Sequence, residues 1–131
     1  MSMPGARITI VDDDVSVGKA LMRLLQRSSY KVEVFGSAAE FLTSLSHVTP
    51  DCLVVDLQMP DMTGLELHLY LAHIKIKIPM IIFTAHDELG IRERCLAAGV
   101  AAYLIKPLQK TALIAAINAA TKRSIPKNIA I

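Results

Sequence analysis

The residues best suited to do chemistry in this chain are acids that follow short apolar runs. Asp56 ends the apolar stretch 52–55, and Asp12, Asp13 and Asp14 directly follow another such stretch. An ionised carboxylate beside a low-dielectric core must be paired, hydrogen-bonded or bound to a metal, or it takes up a proton. Asp56 therefore requires partners from elsewhere in the chain.

A hydroxyl group and an ammonium group follow two other apolar runs. Thr84 ends the run 80–84, and Lys106 follows the run 102–105. Acids that converge on one edge of a sheet repel each other, and a hard divalent cation such as Mg²⁺ relieves that repulsion. Lysine and threonine would add donors for a group with several negative oxygens, which indicates a phosphoryl group. The nucleophile would be a carboxylate that forms an acyl phosphate.

These residues require a fold of short strands and intervening helices. Five apolar runs are strand candidates, at residues 7–11, 31–35, 52–55, 80–84 and 102–105. Helical patterns separate them, around 17–25 and 37–45 and over 64–74, 89–98 and 109–123. Ser37 and Glu40 stand at capping-box spacing, and Gly99 is placed to cap the fourth helix. Continuously apolar strands that alternate with helices predict a doubly wound, five-stranded parallel α/β fold.

Length and composition limit the class of protein. The chain has 131 residues, 53% hydrophobic content and a net charge of +2, which predicts one compact domain that makes no nucleic-acid contact. Cys52 and Cys95 lack the spacing of a zinc site or disulfide framework, so a reducing, cytoplasmic setting is expected. No apolar stretch approaches the roughly 20 residues that span a membrane. We assign residues 1–123 to the domain and 124–131 to a C-terminal tail or the start of a linker.

Taken together, Asp12-Asp13, Asp56, Thr84 and Lys106-Pro107 resemble the receiver domain of bacterial two-component response regulators. The resemblance covers roughly residues 7–120, and the segment 56–64 looks like the one that follows the phosphoacceptor in this family. It implies a flavodoxin-like sheet of order 2-1-3-4-5 with five helices. It also implies Mg²⁺ as cofactor, a sensor histidine kinase as partner, and no enzymatic activity beyond the domain's own phosphorylation and dephosphorylation.

The resemblance implies which residues handle the phosphoryl group. Asp56 would accept it from the kinase phosphohistidine, and Lys106 would contact its oxygens. Thr84 would move toward these oxygens as the switch hydroxyl, and Tyr103 would rotate inward as the switch aromatic. The bond between Lys106 and Pro107 is often cis in such domains.

The same resemblance assigns the metal ligands and two tuning residues. Asp13, Asp56 and the backbone carbonyl of Gln58 would hold Mg²⁺, with Asp12 acting mainly through a bound water. Gln58 and His86 would flank the path of an attacking water and tune the phosphoryl lifetime.

The output is expected at a protein surface. Phosphorylation would switch the face formed by the fourth helix, fifth strand and fifth helix, giving a phosphorylation-dependent contact such as a homodimer. The sequence looks most like receivers attached to helix-turn-helix transcription factors, so this face would control transcription through an output domain not present in this chain.

Two other functions fit part of the pattern. A haloacid-dehalogenase-type phosphatase would use Asp12 as nucleophile and Asp14 as general acid, but no final acidic pair follows Lys106. A receiver-like scaffold that is never phosphorylated would have no reason to keep the acids, Thr84 and Lys106. Asp14 is expected only to cap the first helix.

Overall fold

The five predicted strands form one parallel sheet. The computed structural model of the chain describes residues 5–123, and its strand order is β2-β1-β3-β4-β5, which confirms the expected fold. The strands are β1 Arg7–Val11, β2 Lys31–Phe35, β3 Cys52–Asp56, β4 Met80–Thr84 and β5 Ala102–Ile105. The third strand is one residue longer than predicted, because Asp56 itself pairs with Phe83 of β4. The predicted tail, 124–131, lies outside the described residues.

Five helices connect and cover the strands. They are α1 Val15–Gln26, α2 Ala38–Ser44, α3 Gly64–His73, α4 Ile91–Ala98 and α5 Lys110–Arg123. Gly99 ends α4 in the left-handed conformation with φ of 105°, which confirms its predicted role as a cap. The fourth helix begins two residues later than predicted because Gly90, at φ of 83°, interrupts the helical path before Ile91.

The predicted capping box of α2 forms only in part. The Ser37 side chain accepts the Glu40 N–H, but the Glu40 carboxylate accepts the Gly36 N–H instead of that of Ser37. A complete box occurs at the start of α3, where Thr63 and Glu66 each accept the other's backbone N–H. Both helices therefore begin at side-chain caps that hold the preceding loops.

The core consists of two apolar layers, one on each face of the sheet. In β3, Leu53 and Val55 belong to one layer and Cys52 and Val54 to the other, as the two-residue period of a strand requires. All five residues of β3 are buried. Burial on both faces explains why β3 and β4 are almost continuously apolar, whereas the edge strand β2 alternates and exposes Lys31 and Glu33.

The parallel register brings the strand ends together. Val11 lies beside Val55, so that Asp12 emerges next to Asp56 on the neighbouring strand. Thr84 lies beside Ile105, which precedes Lys106. The residues selected in the sequence for their chemistry therefore share one edge of the sheet.

Within residues 5–123, every helix is too short or too polar to cross a membrane.

Candidate functional site

Three carboxylates form an acidic cluster at this edge. Asp12, Asp13 and Asp56 each offer an oxygen, and these oxygens lie within 4.8 Å of one another. The Asp12 side chain is completely buried and that of Asp56 is 9% exposed, whereas Asp13 is exposed. Burial differs between Asp12 and Asp13 because successive side chains at the end of a strand point in opposite directions. The cluster therefore has a buried base and an open rim.

Lys106 is the cation that faces this cluster. Its Nζ lies 3.4 Å from Asp12 Oδ2 and 3.5 Å from Asp56 Oδ2, and 4.8 Å from the centre of the Phe83 ring. Charge-assisted hydrogen bonds are usually about 2.7–2.9 Å long, so these contacts are loose. One ammonium group between two carboxylates leaves a negative cluster with room for another cation.

Burial alters the ionisation of the Asp12 carboxyl group. It raises the pKa of Asp12 from 3.8 to about 6, and the neighbouring charge of Asp56 adds to the increase. The backbone N–H of Asp14, which donates to Asp12 Oδ1 at 2.9 Å, and the charge of Lys106 oppose it. Clustered, partly desolvated carboxylate oxygens are the ligands that Mg²⁺ prefers. The donor set thus fits a hard divalent cation.

The loop after β3 is held close to Asp56. The Gln58 N–H donates to Asp56 Oδ1 at 3.2 Å, while the Gln58 side chain is exposed. A Cβ atom on Gly64 would lie only 2.9 Å from the carbonyl oxygen of Asp56. The first residue of α3 must therefore be glycine for the helix to begin directly behind Asp56.

Thr84 lies near the site but its hydroxyl faces its own loop. The residue is fully buried, and Oγ1 accepts the His86 N–H at 3.0 Å and donates to the His86 carbonyl at 3.2 Å. Within residues 5–123, this hydroxyl has no hydrogen bond to the acidic cluster. His86 is exposed, with both of its backbone groups engaged by Thr84.

Tyr103 is buried against the loop that follows Thr84. Only 4% of the residue is exposed, and its hydroxyl donates to Asp87 Oδ1 at 2.9 Å. The Arg92 guanidinium lies 5.9 Å from the ring centre. Burial, reinforced by Asp87, raises the pKa of Tyr103 well above 10. The Lys106-Pro107 peptide bond is cis, as expected from the resemblance.

The Asp14 carboxylate is not part of the acidic cluster, and it caps the first helix as predicted. Its carboxylate accepts the N–H groups of Ser16 and Val17 as the cap of α1. A carboxylate engaged in this way is poorly placed to act as the general acid that the phosphatase alternative requires.

Two acids that hold the loops of this site, Asp61 and Asp87, were not predicted from the sequence. Asp87 binds the Tyr103 hydroxyl, and Asp61 accepts the Ala39 N–H across 22 residues of sequence. Both lie in polar loops at the same edge as the cluster. That position was the only signal available, because an exposed loop acid gives no indication of its partner.

Comparisons with known proteins identify relatives over most of the chain. The family described as "Response regulator receiver domain" matches residues 8–118. Nodulation protein W of Bradyrhizobium diazoefficiens is 35% identical over 118 residues, and the transcriptional regulatory protein FixJ of Rhizobium meliloti is 36% identical over 118 residues. Each alignment covers 90% of this chain.

The structural comparison agrees with the sequence comparison. The crystal structure of FixJ-N superimposes with a TM-score of 0.86 at 35% identity, covering 95% of this chain and 99% of that one. The alignments cover 52% of nodulation protein W and 58% of FixJ. The chain therefore spans slightly more than half the length of these two relatives.

Proposed function

Because this chain belongs to the response regulator receiver domain family, we propose that Asp56 is its phosphoacceptor and a sensor histidine kinase its phosphodonor. The observation that carries the proposal is the environment of the Asp56 carboxylate. Oδ1 accepts the Gln58 N–H, Oδ2 lies 3.5 Å from Lys106 Nζ, and 9% of the side chain remains exposed. Asp12 is more deeply buried, and Asp13 forms no ion pair with Lys106 within residues 5–123.

The chemistry is an in-line transfer onto a carboxylate. An Asp56 oxygen attacks phosphorus, the bond from phosphorus to the kinase histidine nitrogen breaks, and its electron pair returns to the imidazole. The product is an acyl phosphate on Asp56. Lys106, already beside Oδ2, would follow the transferred oxygens and stabilise their charge through hydrogen bonds. Water attack on the acyl phosphate would later restore the free carboxylate.

Magnesium would occupy the acidic cluster. Asp13, Asp56 and the Gln58 carbonyl would hold the ion, with Asp12 acting mainly through a bound water. When bound, Mg²⁺ offsets the mutual repulsion of the carboxylates and the negative charge of the incoming phosphoryl group. The closeness of the three carboxylates, within 4.8 Å, supports this assignment.

Thr84 and Tyr103 would carry the signal away from Asp56. Rotation of the Thr84 hydroxyl from His86 toward a phosphoryl oxygen would release the backbone of the loop after β4. Because Asp87 in that loop binds the Tyr103 hydroxyl, the loop and the aromatic ring would respond together. Gln58 and His86, both exposed beside this site, would tune the lifetime of the acyl phosphate.

The kinase would dock beside α1. An apolar groove of about 490 Å³ opens next to Lys106 and is lined by Val17, Ala20, Leu21, Leu24, Pro107 and Leu108. The neighbouring hollow is bordered by three exposed cations, Arg23, Arg27 and Lys110. Such a surface fits an amphipathic helix with an acidic flank, and a helix docked there would lie beside the phosphoacceptor.

The output would be a phosphorylation-dependent homodimer through α4, β5 and α5. The relative FixJ is a transcriptional regulatory protein, which supports control of transcription by a domain that follows the receiver. We assign residues 1–123 to the receiver and 124–131 to a tail or linker. Two buried free thiols, Cys52 and Cys95, fit a reducing cytoplasm.

Mapping the modified residue after reaction with acetyl phosphate and Mg²⁺ tests the phosphoacceptor. We expect one phosphoryl group on Asp56, no label in Asp56→Asn, and normal labelling in the control Asp14→Asn. Label on Asp12 would support the phosphatase alternative instead. Absence of both labelling and Mg²⁺ binding at millimolar concentration would support a scaffold that is never phosphorylated.

A further inference from the structure

The loop between β3 and α3, residues 57–63, is tied to a helix that contributes no ligand to the site. Asp61 Oδ2 in this loop accepts the Ala39 N–H, in the first turn of α2, at 3.0 Å. N–H groups in the first turn of a helix have no acceptor within the helix. Asp61 supplies one from a distant part of the chain, although it is itself exposed.

The segment that leads into α2 also contacts the acidic cluster, through the backbone of Asp12. The Phe35 carbonyl, at the end of β2, accepts the Asp12 N–H at 3.0 Å. Between Phe35 and Ala39 the backbone is stiffened, because Glu40 Oε1 accepts the Gly36 N–H and Ser37 Oγ accepts the Glu40 N–H. The segment 35–40 therefore bridges the loop of Asp12 and the loop of Gln58.

Asp61 anchors the loop 57–63 to this segment close to Gln58. Gln58 lies three residues before Asp61, and its N–H already binds Asp56 Oδ1 at 3.2 Å. Met59, between them, is 8% exposed and belongs to the core. The Gln58 peptide is thus fixed on its N-terminal side by Asp56 and on its C-terminal side by Met59 and Asp61.

We infer that Asp61 is a positioning residue for the metal site, which orients the Gln58 carbonyl by anchoring its loop to α2. This inference rests on the proposed function, because it assigns the Gln58 carbonyl as a ligand of Mg²⁺. Without the anchor, the loop would sample orientations that turn this carbonyl away from the cluster, and part of the binding free energy would be spent on reordering it.

Asp61→Ala tests the inference through Mg²⁺ affinity, measured by calorimetric titration of the unphosphorylated protein. We expect affinity to fall about tenfold, the lower range for loss of a group that supports a metal ligand. Asp61→Asn removes the negative charge, as Asp61→Ala does, but keeps a side-chain oxygen that can accept the Ala39 N–H. Its Mg²⁺ affinity should therefore stay within about twofold of wild type.

Asp51→Ala is the matched control. The Asp51 carboxylate accepts the Arg7 N–H at 2.8 Å, also across a long sequence separation, but at the opposite edge of the sheet. Its removal deletes the same charge and the same kind of hydrogen bond, so that a comparable loss of thermal stability is expected. Mg²⁺ affinity should stay within about twofold of wild type because the ligand loops are untouched.

A kinetic measurement separates positioning from damage to the nucleophile. With acetyl phosphate, Asp61→Ala should need about tenfold more Mg²⁺ for half-maximal rate yet approach the wild-type rate at saturating Mg²⁺. Wild-type affinity in Asp61→Ala, or an equal loss in Asp51→Ala, would overturn the inference. Failure of the wild-type protein to bind Mg²⁺ would overturn the proposed function instead.

Discussion

At the scale of single residues, burial raises the pKa of Asp12 against the opposing effects of the Asp14 N–H and the Lys106 charge. The Asp12 pKa is raised to about 6, chiefly by desolvation. A carboxyl group whose pKa is higher in the folded than in the unfolded state favours folding while it is protonated. That contribution is complete below about pH 4 and is lost as the pH rises through 6. The metal-free protein therefore carries a destabilising charge at neutral pH.

Asp12→Asn should accordingly stabilise the metal-free protein. We expect its free energy of unfolding to exceed that of wild type by up to about 3 kcal/mol at pH 7.5, and the difference to shrink toward zero at pH 4. Urea unfolding followed by circular dichroism in the presence of a chelator measures this difference across the pH range.

Asp14→Asn provides the control for this measurement. Asparagine caps helices about as well as aspartate, so the variant should follow the wild-type pH curve closely. Parallel curves for Asp12→Asn and wild type would show that the Asp12 carboxylate carries no such cost. Millimolar Mg²⁺ should narrow the gap, since the bound cation stabilises the wild-type cluster.

At the scale of elements, α1 serves both the core and the surface. Leu21 and Leu25 are buried against the sheet, whereas Val15 is 66% exposed and Ala20 lines the groove beside Lys106. Single exposed apolar side chains are common on protein surfaces, whereas an apolar groove beside a reactive group is typical of a binding site. Helix α1 thus positions Asp14 at its start and lines the apolar groove that we propose as the docking site of the kinase.

Ala20→Glu should impair phosphotransfer from the kinase without impairing the phosphorylation chemistry at Asp56. A charged side chain in the groove should lower kcat/KM for phosphotransfer from a phosphorylated histidine kinase about tenfold, which corresponds to roughly 1.4 kcal/mol. The rate with acetyl phosphate should stay within about twofold of wild type, because this small donor needs no docking surface.

Ala72→Glu is the matched control, since Ala72 is an exposed alanine on α3, distant from the groove. It should leave both rates unchanged. An equal fall of kcat/KM with the kinase in both variants would mean that added negative charge alone impedes the kinase. An unchanged kcat/KM in Ala20→Glu would show that α1 is not part of the interface.

At the scale of the whole molecule, the proposed signal would pass from the acidic cluster at one edge of the sheet to the face of α4, β5 and α5. Helix α4 and strand β5 expose Leu96 at 41% and Ile105 at 42%, and Arg92 and Arg94 of α4 are also exposed. Tyr103 contributes almost no surface, since it is 4% exposed and bound to Asp87. Its influence on a partner would therefore pass through the loop and α4.

Leu96→Glu should prevent dimerisation of the phosphorylated protein. Sedimentation equilibrium after treatment with acetyl phosphate and Mg²⁺ should give a monomer for this variant and a dimer for wild type, because an unpaired charge in an apolar contact is costly. Leu69→Glu, which changes an equally large side chain on α3 that is 50% exposed, should still dimerise. A dimeric Leu96→Glu variant would place the interface elsewhere.

Local sequence patterns are enough to predict the strands, the helices and the residues that gather at one edge. Apolar periodicity is local, so β1, β2, β4 and β5 have their predicted bounds, and parallel strands necessarily bring Asp12, Asp56 and Lys106 to the same side. The strand order came from the resemblance to a family, because short-range patterns carry no information about which strands are neighbours.

The partners of the loop residues depend on how distant parts of the chain pack together. Asp61 meets Ala39 across 22 residues and Tyr103 meets Asp87 across 16. These contacts depend on how loops from different strands approach each other in space, which sequence spacing does not encode. The same packing buries Asp12 while leaving Asp13 exposed, and so gives adjacent, identical side chains different chemistry.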